Sequence, residues 1–268
     1  MAKAGKRKKH SDDSVNGRMS IYRLVPNMLT LAALTAGMTS IQYAIQGRWE
    51  NAVIAIVIAG FIDGFDGAVA RLMNASSKLG AELDTLSDFL CFGVAPATIM
   101  YLWLLQDAGK IGWIVAVVFA IAVALRLARY NVEDKEAEKR ESAADKKKTH
   151  FTGVPSPTGA GMAMLPLIMS LQFAEDGHKF DAFMTSPEYV ALWMLLFAVL
   201  MVSRIPTFST KQVRLHPKMA VPLLGAFGLL IAGLIHATWI TLIFMCTVYA
   251  ISIPIASYVT YHKDKKSD

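Results

Sequence analysis

Apolar runs of helical length alternate with short polar breaks along nearly the whole chain. Runs near 20 residues are what a helix needs to cross the hydrocarbon core of a bilayer. Read this way, the pattern predicts eight spans, at about 27–45, 51–73, 84–105, 111–130, 153–173, 188–204, 217–235 and 238–261. The predicted fold is an all-α polytopic membrane bundle. Before the first span, Arg18-Met-Ser-Ile-Tyr-Arg-Leu-Val-Pro26 mixes apolar and basic positions, as an interfacial helix does. Residues 1–16 carry Lys3, Lys6-Arg-Lys-Lys9 and Asp12-Asp13 with almost no apolar content, and read as a disordered basic tail. The segment 131–152 carries both charge signs and reads as an exposed helix or loop.

Composition agrees with the pattern. Of 268 residues, 54% are hydrophobic, and mean hydropathy is +0.41, which excludes a soluble domain of this size. Charge then orients the spans. An even number of spans puts both termini on one side. Of the 27 Lys and Arg residues, all but Arg48, Lys110 and Lys179 gather on that side. Cytoplasmic loops hold the Lys/Arg excess, so both termini of a multi-pass chain are expected in the cytoplasm. Cys91 and Cys246 both fall inside spans and read as small buried residues, with no disulfide implied. No secretory signal is expected, because the chain opens on a polar basic tract.

Four acids break the apolar pattern in one place. The stretch reads Asp63-Gly-Phe-Asp66-Gly67-Ala-Val-Ala70-Arg71, then eight residues, then Gly80-Ala-Glu-Leu-Asp84-Thr-Leu-Ser-Asp88. Acids inside membrane segments are costly and mark function. Asp63 and Asp66 are i, i+3, and Asp84 and Asp88 are i, i+4, so each pair occupies one helix face. Two such faces together make a nest of carboxylate oxygens, the ligand set of a hard divalent cation. Asp63, Asp66 and Asp84 can hold Mg²⁺ or Mn²⁺ with positions left for phosphate oxygens. Gly67 removes a side chain where a ligand must approach, Ala70 does so less completely, and Gly80 opens the third span. Arg71 suits a phosphate, and Asp88 can accept a proton from an attacking hydroxyl. Only Arg71 and Lys78 lie near enough in sequence to pair the acids, which disfavours a purely structural role.

This pattern resembles the signature of the CDP-alcohol phosphatidyltransferase family, membrane enzymes that move a phosphatidyl group from a CDP-linked lipid to an alcohol and release CMP. The resemblance implies that Asp63, Asp66 and Asp84 are metal ligands. It implies that Asp88 is the general base and a contact of a second metal ion. Gly67, Ala70, Arg71, Ser77 and Gly80 would line the CDP-lipid site, as would Asn27 and Thr30 in Pro26-Asn-Met-Leu-Thr30. It further implies a six-helix core within residues 17–215, two additional spans with a basic tail over 216–268, and a homodimer.

Three shorter stretches resemble the serine-using bacterial branch of that family: Phe89-Leu-Cys-Phe-Gly93-Val-Ala-Pro96, Arg126-Leu-Ala-Arg129-Tyr-Asn131 and Gly153-Val-Pro155-Ser156-Pro157. The expected substrates are CDP-diacylglycerol and L-serine. Arg126 and Arg129, i and i+3, are candidates for the serine carboxylate, or simply anchor the cytoplasmic end of their span. Ser156 is a candidate serine contact or a helix cap. Glycerol 3-phosphate, inositol phosphate or choline remain alternative acceptors. A divalent-cation transporter also places acids in a membrane, but leaves Gly67 and Arg71 without a role.

Overall fold

In the computed structural model the chain is described over residues 25–72, 78–141, 155–177, 184–203 and 220–264, and these are helical with no strand among them. The expected basic tail, most of the interfacial segment, Ser77 and residues 142–152 lie outside the described residues. The ten α-helices account for all eight expected rods, two of which are composite.

The first rod, α1 (Val25–Ile45), and the second, α2 (Trp49–Leu72), form a tight hairpin. Gly47 makes the turn by adopting φ 70, a left-handed conformation that costs glycine little. Gly47 N–H then reaches the Ala44 carbonyl at 3.0 Å and Arg48 N–H the Tyr43 carbonyl at 2.9 Å, the paired bonds of a Schellman cap. The buried face of α1 is a stripe of small residues, Thr30, Ala33, Gly37, Ser40 and Ala44. Small residues let membrane helices approach closely, where packing replaces the hydrophobic drive that lipid does not supply. Gly37 uses this space: a Cβ there would lie 2.6 Å from Cys91 Sγ and 2.9 Å from Leu90 Cδ2.

The third rod begins earlier than its hydropathy suggests. Helix α3 (Lys78–Phe89) starts inside the expected 74–83 loop, so the break after α2 is short. Its first turns are polar, which hides them from an apolar-run criterion, yet Leu79, Ala81, Glu82 and Leu83 are good helix formers. A π-helical turn, Leu90–Val94, then leads into α4 (Ala95–Trp103). The fourth rod, α5 (Lys110–Glu141), runs eleven residues past its expected end at 130, carrying the charged stretch as continuous helix. The fifth is split into α6 (Ser156–Ala163) and α7 (Leu165–Glu175) at Met164. Pro166 explains the break, because it lacks an N–H and clashes with the preceding turn. Three further helices follow: α8 (Pro187–Val202), α9 (Ala220–His236) and α10 (Thr238–Asp264).

Among the described residues, four segments are long and apolar enough to cross a membrane: Val25–Ile45, Trp49–Val69, Leu79–Trp103 and Lys110–Glu133. Shorter apolar helices lie at Pro187–Val202, Gly225–His236 and Thr238–Ser252. Ile54, Ile58, Ile114, Leu192, Val199 and Phe244 point outward, the lipid-facing pattern of a membrane bundle. Inside, Met100, Leu105, Phe119, Leu167 and Met194 are fully buried and join α4, α5, α7 and α8 into one core. Helix α5 packs against α3 and α4, beside the acids.

Candidate active site and metal centre

Helices α2 and α3 bring the four aspartates together from both sides of a short break. Asp66 is six residues from the end of α2, about 9 Å along the helix at 1.5 Å per residue, so the site lies below the helix ends. Ligand oxygens of Asp63, Asp66 and Asp84 all fall within 4.8 Å of one another. Opposite oxygens around an octahedral Mg²⁺ stand about 4.2 Å apart, from bonds of 2.0–2.1 Å, so the trio needs only small side-chain adjustments to hold such an ion. Asp88 faces the same space through a side-chain hydrogen bond to Asp63. The remaining Asp88 oxygen, Oδ1, is buried with no hydrogen-bond partner among the described residues. Three carboxylates at this spacing and a fourth with an unsatisfied oxygen make a centre whose negative charge calls for a cation.

The surrounding helices fix these acids. Thr30 on α1 is buried, and its hydroxyl is 2.7 Å from Asp66 Oδ2 and 3.1 Å from the Pro26 carbonyl. Ser87 on α3 donates to the Thr30 carbonyl at 3.3 Å. One turn further, Cys91 in the π turn donates weakly to the Ala33 carbonyl, also at 3.3 Å. The register between α1 and α3 is therefore pinned on either side of Asp88. Ser87 and Cys91 were not singled out from sequence; Ser87 lies between two site aspartates but carries no motif of its own.

Around Asp66 the helix surface is open. Among the described residues, a Cβ at Gly67 or Gly64 would meet no atom within 4 Å, which is compatible with the ligand approach that the motif leads one to expect. Asn27 is half-buried in the first turn of α1, at the same end as Thr30. Gly80 sits half-buried near the start of α3. Ser77 and the side chains of Ala70 and Arg71 are outside the described residues.

The end of α5 wires the site to three other helices. Asn131 Nδ2 donates to Thr85 Oγ1 at 3.0 Å, next to Asp84. Arg129 Nη1 donates to the Val202 carbonyl at 2.8 Å, satisfying an end-of-helix acceptor on α8. Arg126 Nη1 donates to the Ser156 hydroxyl, and the guanidinium lies within electrostatic reach of Asp88 and of Tyr249 on α10. Ser156 is buried at the first position of α6, where Pro155 is the cap residue, so its side chain serves Arg126 rather than capping. Of the two arginines, Arg126 faces the acids, while Arg129 is engaged in holding α5 to α8. Arg126 Nε is buried with no hydrogen-bond partner among the described residues.

Comparison with known proteins agrees with this geometry. The family model described as CDP-alcohol phosphatidyltransferase matches residues 23–254. A Mycobacterium bovis protein named CDP-diacylglycerol–serine O-phosphatidyltransferase is 32% identical over 241 residues, covering 90% of this chain and 80% of that protein. A Helicobacter pylori protein of the same name is 30% identical over 239 residues, 89% of each chain. A Bacillus subtilis protein, again so named, is 34% identical over 143 residues, 53% of this chain and 74% of its own length. A match that spans the aspartate nest and nearly all the helices around it shows that this chain is a membrane transferase belonging to the CDP-alcohol phosphatidyltransferase family.

Proposed function

We propose that the protein transfers the phosphatidyl group of CDP-diacylglycerol to the hydroxyl of L-serine, giving phosphatidylserine and CMP. The observation that carries the serine assignment is the name shared by relatives that match about nine-tenths of the chain. It is supported by Arg126, a half-buried cation within electrostatic reach of the acid that would act as base. Asp63, Asp66 and Asp84 would hold Mg²⁺ or Mn²⁺, which when bound neutralises the pyrophosphate and makes the phosphorus bearing diacylglycerol more electrophilic. Gly67 leaves space for the nucleotide lipid, with Asn27, Ala70, Arg71, Ser77 and Gly80 around it. Asp88 Oδ1 takes the proton as the serine oxygen forms its bond to phosphorus, and the bond from phosphorus to CMP breaks. Arg126 holds the serine carboxylate, with Ser156 fixing its guanidinium. Thr30, Ser87 and Asn131 hold the acids in place, so most of the rate gain comes from positioning and charge stabilisation. In this reading the site opens to the cytoplasm from a bacterial inner membrane, and the enzyme is a homodimer. The test is CMP release by purified protein with CDP-diacylglycerol and divalent metal. Serine is expected to stimulate release; stimulation by glycerol 3-phosphate, inositol phosphate or choline alone would overturn the acceptor.

A further inference from the structure

Two buried polar atoms on different helices have no hydrogen-bond partner among the described residues: Arg126 Nε on α5 and the Tyr249 hydroxyl on α10. Burying such a group unpaired is unfavourable, so a pair of them in electrostatic reach of each other points to a missing ligand. Their chemistry narrows it. Arg126 Nε can only donate, and a tyrosine hydroxyl donates readily. Two donors beside one cation call for an anion, with a carboxylate matching both the charge and the number of acceptors. The Tyr249 ring is anchored in the apolar cluster with Met162, Leu165, Phe197 and Cys246, so its hydroxyl is held in place rather than swinging freely. Arg126 is held from the other side by Ser156.

We propose that Tyr249 is a specificity-determining residue of the acceptor site, its hydroxyl donating to the carboxylate of an amino-acid acceptor that Arg126 also holds. The inference rests on the serine reading above and deepens it. It gives the last helix a role: α10 closes the acceptor pocket, and an acceptor without a carboxylate gains nothing from Tyr249. The ring stays to fill the same space when the hydroxyl is removed, so Tyr249→Phe is the clean perturbation.

The experiment uses the purified full-length enzyme, wild type and Tyr249→Phe, with steady-state CMP release measured against serine and against CDP-diacylglycerol. Serine KM should rise about ten-fold or more, as for loss of a hydrogen bond to a charged group. The KM for CDP-diacylglycerol and the thermal midpoint should stay near wild type. A purely structural tyrosine would instead lower the midpoint and shift both KM values together, and that result overturns the proposal. An unchanged serine KM also overturns it, while leaving the serine reading intact. Failure of serine to stimulate wild-type release overturns the serine reading itself, and this inference with it.

Discussion

Thr30 separates two accounts of the site. Its place at the start of the first span leads one to expect a contact to the CDP moiety, whereas its hydroxyl lies 2.7 Å from Asp66 Oδ2. Thr30→Val keeps the shape and removes the hydroxyl. The Ser87 bond runs to the Thr30 backbone carbonyl and survives the change. What is lost is one short hydrogen bond to a buried carboxylate, worth about 1.5–3 kcal/mol. If that energy orients Asp66 as a ligand, metal affinity should fall about ten- to a hundred-fold, the usual cost of losing a partner that orients a ligand. The assay is CMP release titrated with Mg²⁺ or Mn²⁺ at saturating CDP-diacylglycerol and serine. The midpoint should move to higher metal in Thr30→Val and return in Thr30→Ser. An unchanged metal midpoint with a raised KM for CDP-diacylglycerol would refute the positioning role and restore the nucleotide contact.

Other outcomes follow from the same geometry. Asp63→Asn, Asp66→Asn and Asp84→Asn should each lose metal-dependent activity, with partial recovery at raised metal. Asp88→Asn should lose turnover while still binding CDP-diacylglycerol; near-normal turnover would remove Asp88 as the base. Arg126→Ala should raise serine KM about ten- to a hundred-fold, whereas Arg129→Ala, which loses the bond to Val202, should chiefly lower the thermal midpoint; equal effects on serine KM would contradict the division of labour. Single cysteines at Ser77 and Ser142 should be shielded from an impermeant thiol reagent in intact cells, and labelling of both before lysis would contradict a cytoplasmic site.

Much of this molecule is legible in its sequence because lipid leaves few choices: a long apolar run must be helical to satisfy its backbone. The first span was expected at 27–45 and is helical over Val25–Ile45; the sixth was expected at 188–204 and is Pro187–Val202. The aspartate pairs were legible for the same reason, since spacing on a helix fixes a shared face. Bounds failed where hydropathy and helix formation part company, at polar Lys78–Glu82, whereas the charged stretch after 130, read as exposed helix or loop, is helix continuous with α5 as far as Glu141. Pro166 held a break signal in plain view, hidden by the apolar run around it. Partners across the bundle were not legible at all. Arg126 and Arg129 share a motif and a helix face, yet only the packing of α6, α8 and α10 sends one to Ser156 and the other to Val202. Tyr249 sits in an apolar run with no local pattern, and its relation to Arg126 spans more than a hundred residues of chain.

The central claim is that the aspartate nest transfers phosphatidyl groups to serine. The most direct measurement follows isotopically labelled L-serine into lipid, with CMP counted in the same reaction, for purified wild type and Asp88→Asn. The account predicts one labelled phosphatidylserine per CMP in wild type, complete loss on metal chelation, and no transfer by Asp88→Asn. Release of CMP without label entering lipid, or transfer that survives chelation or the Asp88 substitution, would contradict it.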